Sequence, residues 1–160
     1  MTIYFGYEKR KVLQALRYHF ISRPEIRIMI ILVNVFAILS ITLYALKKIS
    51  SVAFLMGLFL WLVLMISFWY ILPGLVYKRA VTFKHNFNMS FDETGFTLGH
   101  EGGGSKIWPW TVLKYYMESP HFFHLYFDSR SFFLVPKDGC KDIDEVFALR
   151  QLIKGKVKRG

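Results

Sequence analysis

IMIILVNVFAILSITLYAL, Ile28 to Leu46, decides how this chain is read. It holds no ionisable side chain except the Tyr44 phenol. At about 1.5 Å of rise per residue, a helix of this length extends about 28 Å, the depth of a hydrocarbon core. A second run, VAFLMGLFLWLVLMISFWYIL, covers Val52 to Leu72, and only KKISS separates the two. Helices joined by so short a link run antiparallel, as a hairpin. A helix that is apolar on every face needs apolar surroundings on every side. The remaining residues are too few to wrap both. The first run starts late and a second follows at once, which argues against a cleaved signal peptide.

Composition agrees with this reading. The chain has 160 residues, 54% hydrophobic and 18% aromatic, too rich for an ordinary soluble domain. Most of the excess lies between Ile28 and Leu72. Lys9, Arg10, Lys11, Arg17, Arg23 and Arg27 precede the first run, and Lys78, Arg79 and Lys84 follow the second. The loop offers only Lys47 and Lys48. The bias of basic residues places both termini in the cytoplasm. Trp69, Tyr70 and Tyr77 suit an interfacial aromatic belt. The net charge of +10 is then matched to anionic lipid headgroups. No base-reading motif is present, so no nucleic-acid partner is expected. Cys140, the single cysteine, is read as a plain thiol.

Residues 1–25 carry a short strand and a basic amphipathic helix. Ile3 and Phe5 alternate with polar neighbours. From Glu8, residues Val12, Leu13, Leu16 and Phe20 share one helical face. That helix suits either the membrane interface or the surface of the cytoplasmic domain. Pro24 ends it or separates it from the span. The sequence leaves open whether the strand joins a later sheet.

Over residues 78–160 the period becomes two. Phe87, Met89 and Phe91 alternate with Asn88 and Ser90. DETG is a turn with Gly95 available for positive φ, and Phe96 and Leu98 resume the alternation. EGGGS reads as a hairpin tip before a strand around Lys106 to Trp108. Leu113, Tyr115 and Met117 share one face; so do Phe123, Leu125 and Phe127. FFLVP is an almost continuous apolar strand. Asp142 as N-cap and Glu145 complete a capping box. The following helix has a stripe of Ile143, Val146, Phe147, Leu149, Leu152 and Ile153 and a stop at Gly155. KVKRG after it reads as a frayed basic tail.

FDETGF (Phe91–Phe96), SKIWPW (Ser105–Trp110) and HLYFDSRSFFLVPK (His124–Lys137), in this order before a terminal helix, resemble the YcxB-like bacterial family. Trp108 and Pro109 look like additions to its pattern. The resemblance implies a two-span hairpin, at about 28–46 and 52–72 within residues 26–77. It implies a pleckstrin-homology-like antiparallel β-sheet domain after it, capped by a C-terminal helix. The fold class it implies is membrane α+β. The place it implies is the bacterial inner membrane, and it carries over no enzymatic activity.

Other chemistry finds little support. In GHEGGGSK the order is Gly-Ser-Lys ahead of a strand, whereas a phosphate loop needs Gly-Lys-Ser/Thr ahead of a helix. His121 and His124 on a strand point to opposite faces and make a poor metal pair. His19, His85 and His100 read as solvated or locally hydrogen-bonded. The hairpin tip has only Lys106, with Glu101 opposing it, too little for a specific inositol phosphate. No nucleophile has a credible base, and no cofactor is expected.

Trp108, Lys106, Trp110 and Lys137 are therefore candidates for contact with a partner or the membrane, with Trp110 also suited to a core role. Asn34, Ser40, Thr42 and Ser67 are candidates for polar contact between the spans. The expected function is a membrane-tethered, non-enzymatic binding or scaffolding module with a protein partner. The alternative is an immunity protein that neutralises a membrane-acting toxin. A homo-oligomer is compatible with either.

Overall fold

The computed structural model describes residues 1–100 and 103–160. Of the expected hairpin tip, Glu101 and Gly102 lie outside the described residues, as does the side chain of His100. The helices are α1 (Lys9–Ser22), α2 (Pro24–Ala45), α3 (Ser51–Ile66), α4 (Leu72–Arg79) and α5 (Ile143–Lys156). The strands are β1 (Thr2–Phe5), β2 (Phe87–Phe91), β3 (Gly95–His100), β4 (Ser105–Pro109), β5 (Tyr115–Glu118), β6 (Phe122–Tyr126) and β7 (Phe132–Pro136). The chain divides into two compact units, residues 16–79 and residues 1–15 with 80–160.

In the first unit, two helices are long and apolar enough to cross a membrane, Pro24–Ala45 and Ser51–Arg79, and their apolar windows are nowhere buried within the chain. Pro24 opens α2, where a missing N–H costs nothing. At the far end of α2, Lys48 N–H donates to Leu43 O and Lys47 N–H to Tyr44 O, both at 2.9 Å. Lys47 has φ 55°, so a lysine holds the left-handed position that glycine usually takes in this closure. Ser50 caps α3 by accepting from Ala53 N–H at 3.2 Å. Tyr44 stacks on Phe54 across the loop, with ring centroids 4.5 Å apart. On α1, His19, expected to be solvated or locally hydrogen-bonded, is buried. Burial, followed by the charge of Arg23, lowers its imidazole to about 4.

Helix α3 continues to α4 through a π turn, Ser67–Ile71. Pro73 explains the irregularity. It has no N–H for the carbonyl four residues back, on Trp69, and its ring crowds that carbonyl. Leu72 N–H instead reaches Ser67 O, five residues back. The freed Trp69 carbonyl accepts from Arg17 Nε at 3.0 Å.

The second unit holds two antiparallel sheets, β1-β2-β3-β4 and β5-β6-β7. The first strand joins the sheet: Ile3 pairs with Met89 and Phe5 with Phe87. Its alternation sends Ile3 and Phe5 inward beside Met89, Phe91 and Phe96. There they meet Phe123, Leu125 and Val135 of the second sheet and Leu149 and Ile153 of α5.

Four local expectations change. A 3-10 turn at Trp110–Val112 delays β5 to Tyr115, so Tyr116 enters the core and Tyr115 and Met117 stay half-buried. Strand β6 is buried on both faces, from Phe122 to Tyr126. Tyr7 stacks on Phe122 and Tyr115 on Tyr126, covering the face expected to meet solvent. Helix α5 runs past Gly155, and its inward stripe omits Ile143 and Phe147, which are 85% and 54% exposed. The tail is not frayed. Val157 is buried, Tyr116 N–H donates to Lys158 O at 2.8 Å, and Gly160 N–H donates to Tyr116 O at 2.9 Å.

Candidate functional site

Strand β4 is one edge of the four-stranded sheet. Hydrogen bonds at the strand ends show which of its backbone groups face outward. Trp110 N–H donates to Thr94 O, just beyond the Gly95–Pro109 pair. Antiparallel pairs alternate, so Phe96–Trp108 and Leu98–Lys106 are bonded pairs. The backbone groups of Ser105 and Ile107 therefore point away from β3, to the open edge. Pro109 is the third outward position and has no N–H, which limits how far a partner strand can pair.

Side chains on this edge differ by face. Ile107 is 72% exposed and ends an outer row of Thr2, Ser90 and Thr97. Trp108 faces inward. Its ring packs on Phe127 and Phe133 at 5.3 and 6.2 Å between centroids. Lys106 Nζ lies 4.2 Å from the Trp108 ring centroid, a cation–π contact that fixes the ammonium at the strand edge. The Trp108 Nε1–H is buried without a hydrogen-bond partner among the described residues. Trp108, a candidate for contact with a partner or the membrane, is thus half-buried against the core.

Trp110 lies in the turn that leads from the first sheet to the second. It is 5% exposed and stacks on Phe91. Its Nε1–H donates to Asp92 O at 2.9 Å. The Asp92 carboxylate accepts from Thr94 Oγ1, Thr94 N–H and Gly95 N–H. These bonds, the Thr94 hydroxyl foremost, hold the carboxyl below its ordinary range. A Cβ on Gly95 would collide with the Trp108 carbonyl. Glycine is needed here for that close approach; its φ lies outside the left-handed region expected from the DETG turn.

Lys137 sits in an ion pair. Glu118 takes Lys137 Nζ at 2.7 Å and Arg150 Nη2 at 2.8 Å, and Lys137 also donates to Ser119 O at 2.8 Å. Burial pushes the Glu118 carboxyl up, but the hydrogen bonds from Arg150 and Lys137 outweigh it and bring it to about 2. The triad ties α5 to β5 and to the end of β7. Lys137 is only 17% exposed, which makes it a poor surface for a partner. Burial, with Glu145 and Asp142 nearby, raises the Cys140 thiol to about 11, which leaves little thiolate for chemistry.

Between the long helices, Trp61 Nε1 donates to Asn34 Oδ1 at 3.4 Å. Ser40 lies where a Cβ on Gly57 would touch its Oγ at 3.4 Å, a close approach of small residues. Thr42 donates to Ile38 O of its own helix. Ser67 begins the π turn, and its carbonyl accepts from Leu72 N–H. Asn34 and Ser40 thus lie at the α2–α3 seam, whereas Thr42 bonds within α2. Ile107, Glu118 and Arg150 carry no functional-site motif in the sequence. Ile107 had one signal, an apolar residue out of phase with its neighbours.

No curated protein and no solved structure matches the chain. The stretch from the end of β2 through most of α5 does match a known family, and it contains the Asp92–Gly95–Trp110 staple and the Glu118–Lys137–Arg150 triad. Residues 91–153 match the family model of the YcxB-like protein family.

Proposed function

We propose that this chain is a membrane-anchored, non-enzymatic binding module that captures an extended segment of a protein partner on the β4 edge. The observation that carries the reading is Ile107. Its backbone groups face an open edge and its side chain is 72% exposed. A partner strand would gain main-chain hydrogen bonds from Ser105 and Ile107 and an apolar contact on Ile107. Lys106, held over Trp108, favours an acidic residue in that partner.

The anchor in this proposal is the α2–α3 hairpin, inserted in a bilayer with both termini on the cytoplasmic side. Support comes from the length and exposure of the two apolar helices and from the placement of basic residues. We read the sheet unit as pleckstrin-homology-like. The four-plus-three strands and closing helix support this, with β1 standing ahead of the hairpin in sequence. Anchoring raises the effective concentration of any partner already at the membrane.

The test is purification of the tagged full chain in mild detergent and mass spectrometry of co-eluting proteins. Ile107→Pro removes an outward N–H without touching the β3 ladder. It is expected to lose a stoichiometric partner that an Ile143→Ser control keeps. Equal recovery by both variants, or a chain that elutes with lipid alone, overturns the proposal.

A further inference from the structure

Residues 16–79 hold Arg17, Arg23, Arg27, Lys47, Lys48, Lys78 and Arg79 and one carboxylate, Glu25. Glu25 lies 3.8 Å from Arg23. Arg17 has no ion-pair partner among the described residues, yet its guanidinium is fixed. Its Nε donates to the Trp69 carbonyl, for which Pro73, four residues on, has no N–H. Its guanidinium carbon lies 5.1 Å from the Tyr70 ring centroid. Trp69 and Tyr70 are 41% and 63% exposed, at the end of the second apolar run. A merely solvated arginine would not be held by both a carbonyl and a ring.

A guanidinium has five N–H donors in a rigid fork. With Nε–H engaged, the two amino groups remain to grip an anion, in the geometry that suits a phosphate. We propose that Arg17, on the Trp69 carbonyl and the Tyr70 ring, is a binding site for the phosphate of an anionic lipid headgroup. The proposal rests on the membrane reading above. In that reading the aromatic pair lies at the level of the headgroups, where tryptophan and tyrosine concentrate. The π turn has a purpose here: it presents the carbonyl that sets the arginine.

The test uses the full chain in detergent, with phosphatidylglycerol, phosphatidylcholine or inorganic phosphate added. Native mass spectrometry and thermal shift are read together. The wild type is expected to retain phosphatidylglycerol over phosphatidylcholine and to be stabilised by it. Arg17→Gln is expected to weaken retention about fivefold, the worth of one well-placed cation. Arg17→Lys keeps the charge but not the fork and is expected to fall between. Tyr70→Leu is expected to weaken retention at unchanged charge. Equal losses from Arg17→Gln and Arg27→Gln would mean diffuse charge attraction and overturn the site. Equal protection by inorganic phosphate overturns the lipid assignment. Alkaline extraction of cell membranes separates the two levels of failure. Release of the chain sinks the membrane reading itself; a retained chain whose Arg17→Gln variant keeps its lipid sinks only the phosphate site.

Discussion

Glu118 shows how a single residue can be invisible in sequence and central in structure. It ends a short strand and carries no motif, yet it joins Lys137 and Arg150. Glu118→Gln is expected to cost about 1.5–3 kcal/mol, the range for hydrogen bonds to charged groups, and to lower the melting temperature. Acid should act the same way. The folded carboxyl lies near 2, below its ordinary 4.5. The stability it contributes is therefore present above pH 4.5 and lost as pH falls toward 2. Acid titration of the two proteins side by side would show that loss only in the wild type. Gly95 is the opposite case, since its place in DETG was plain from the sequence but its reason was not. Gly95→Ala should destabilise by about 1–3 kcal/mol through overpacking against the Trp108 carbonyl. Denaturant unfolding would measure it.

At the scale of elements, helix ends were easier to read than strand faces. Asp142 does cap α5, accepting from Glu145 N–H at 2.8 Å. Glu145 reaches back to Lys141 N–H, one residue before the cap. The phase of strand β5 is not written in its residues, because a tyrosine is apolar in body and polar at its tip, so Tyr115 and Tyr116 fit either face. Strand β6 defeated the alternation rule because both its faces are covered, and period two carries meaning only when one face meets water. The interhelical loop gives a sharper forecast. Lys47 holds a left-handed conformation that glycine adopts without steric cost. Lys47→Gly relieves about 1–2 kcal/mol of left-handed strain against about 0.5–1 kcal/mol of added chain entropy, so a net rise in the thermal stability of the detergent-solubilised chain of about 0.5–1 kcal/mol is expected. An unchanged or lower melting temperature would mean that the lysine makes a contact worth more than the strain.

For the whole molecule, the main fact is that a strand at residues 2–5 completes a sheet begun at residue 87. The apolar hairpin is an insertion between two neighbouring strands. Ile3→Ala, far in sequence from the sheet it supports, should cost about 2–5 kcal/mol, because Ile3 is 1% exposed in the common core. Loss of amide protection in β2 and β3 of that variant, measured by hydrogen exchange, would show the coupling. Unchanged protection there would mean that β1 is dispensable.

By itself the sequence determined the two long apolar helices, the short link that makes them antiparallel, the turn at Asp92–Gly95 and the start of α5. Each is written in neighbouring residues, as a run without charge, a breaker or a cap. Only the tertiary structure decided that β1 joins β2, that the tail from Val157 lies along β5, and that Arg17 meets the carbonyl that Pro73 frees. Those contacts join groups far apart along the chain. Their partners are chosen by which backbone donors and acceptors are left unsatisfied after local structure has formed.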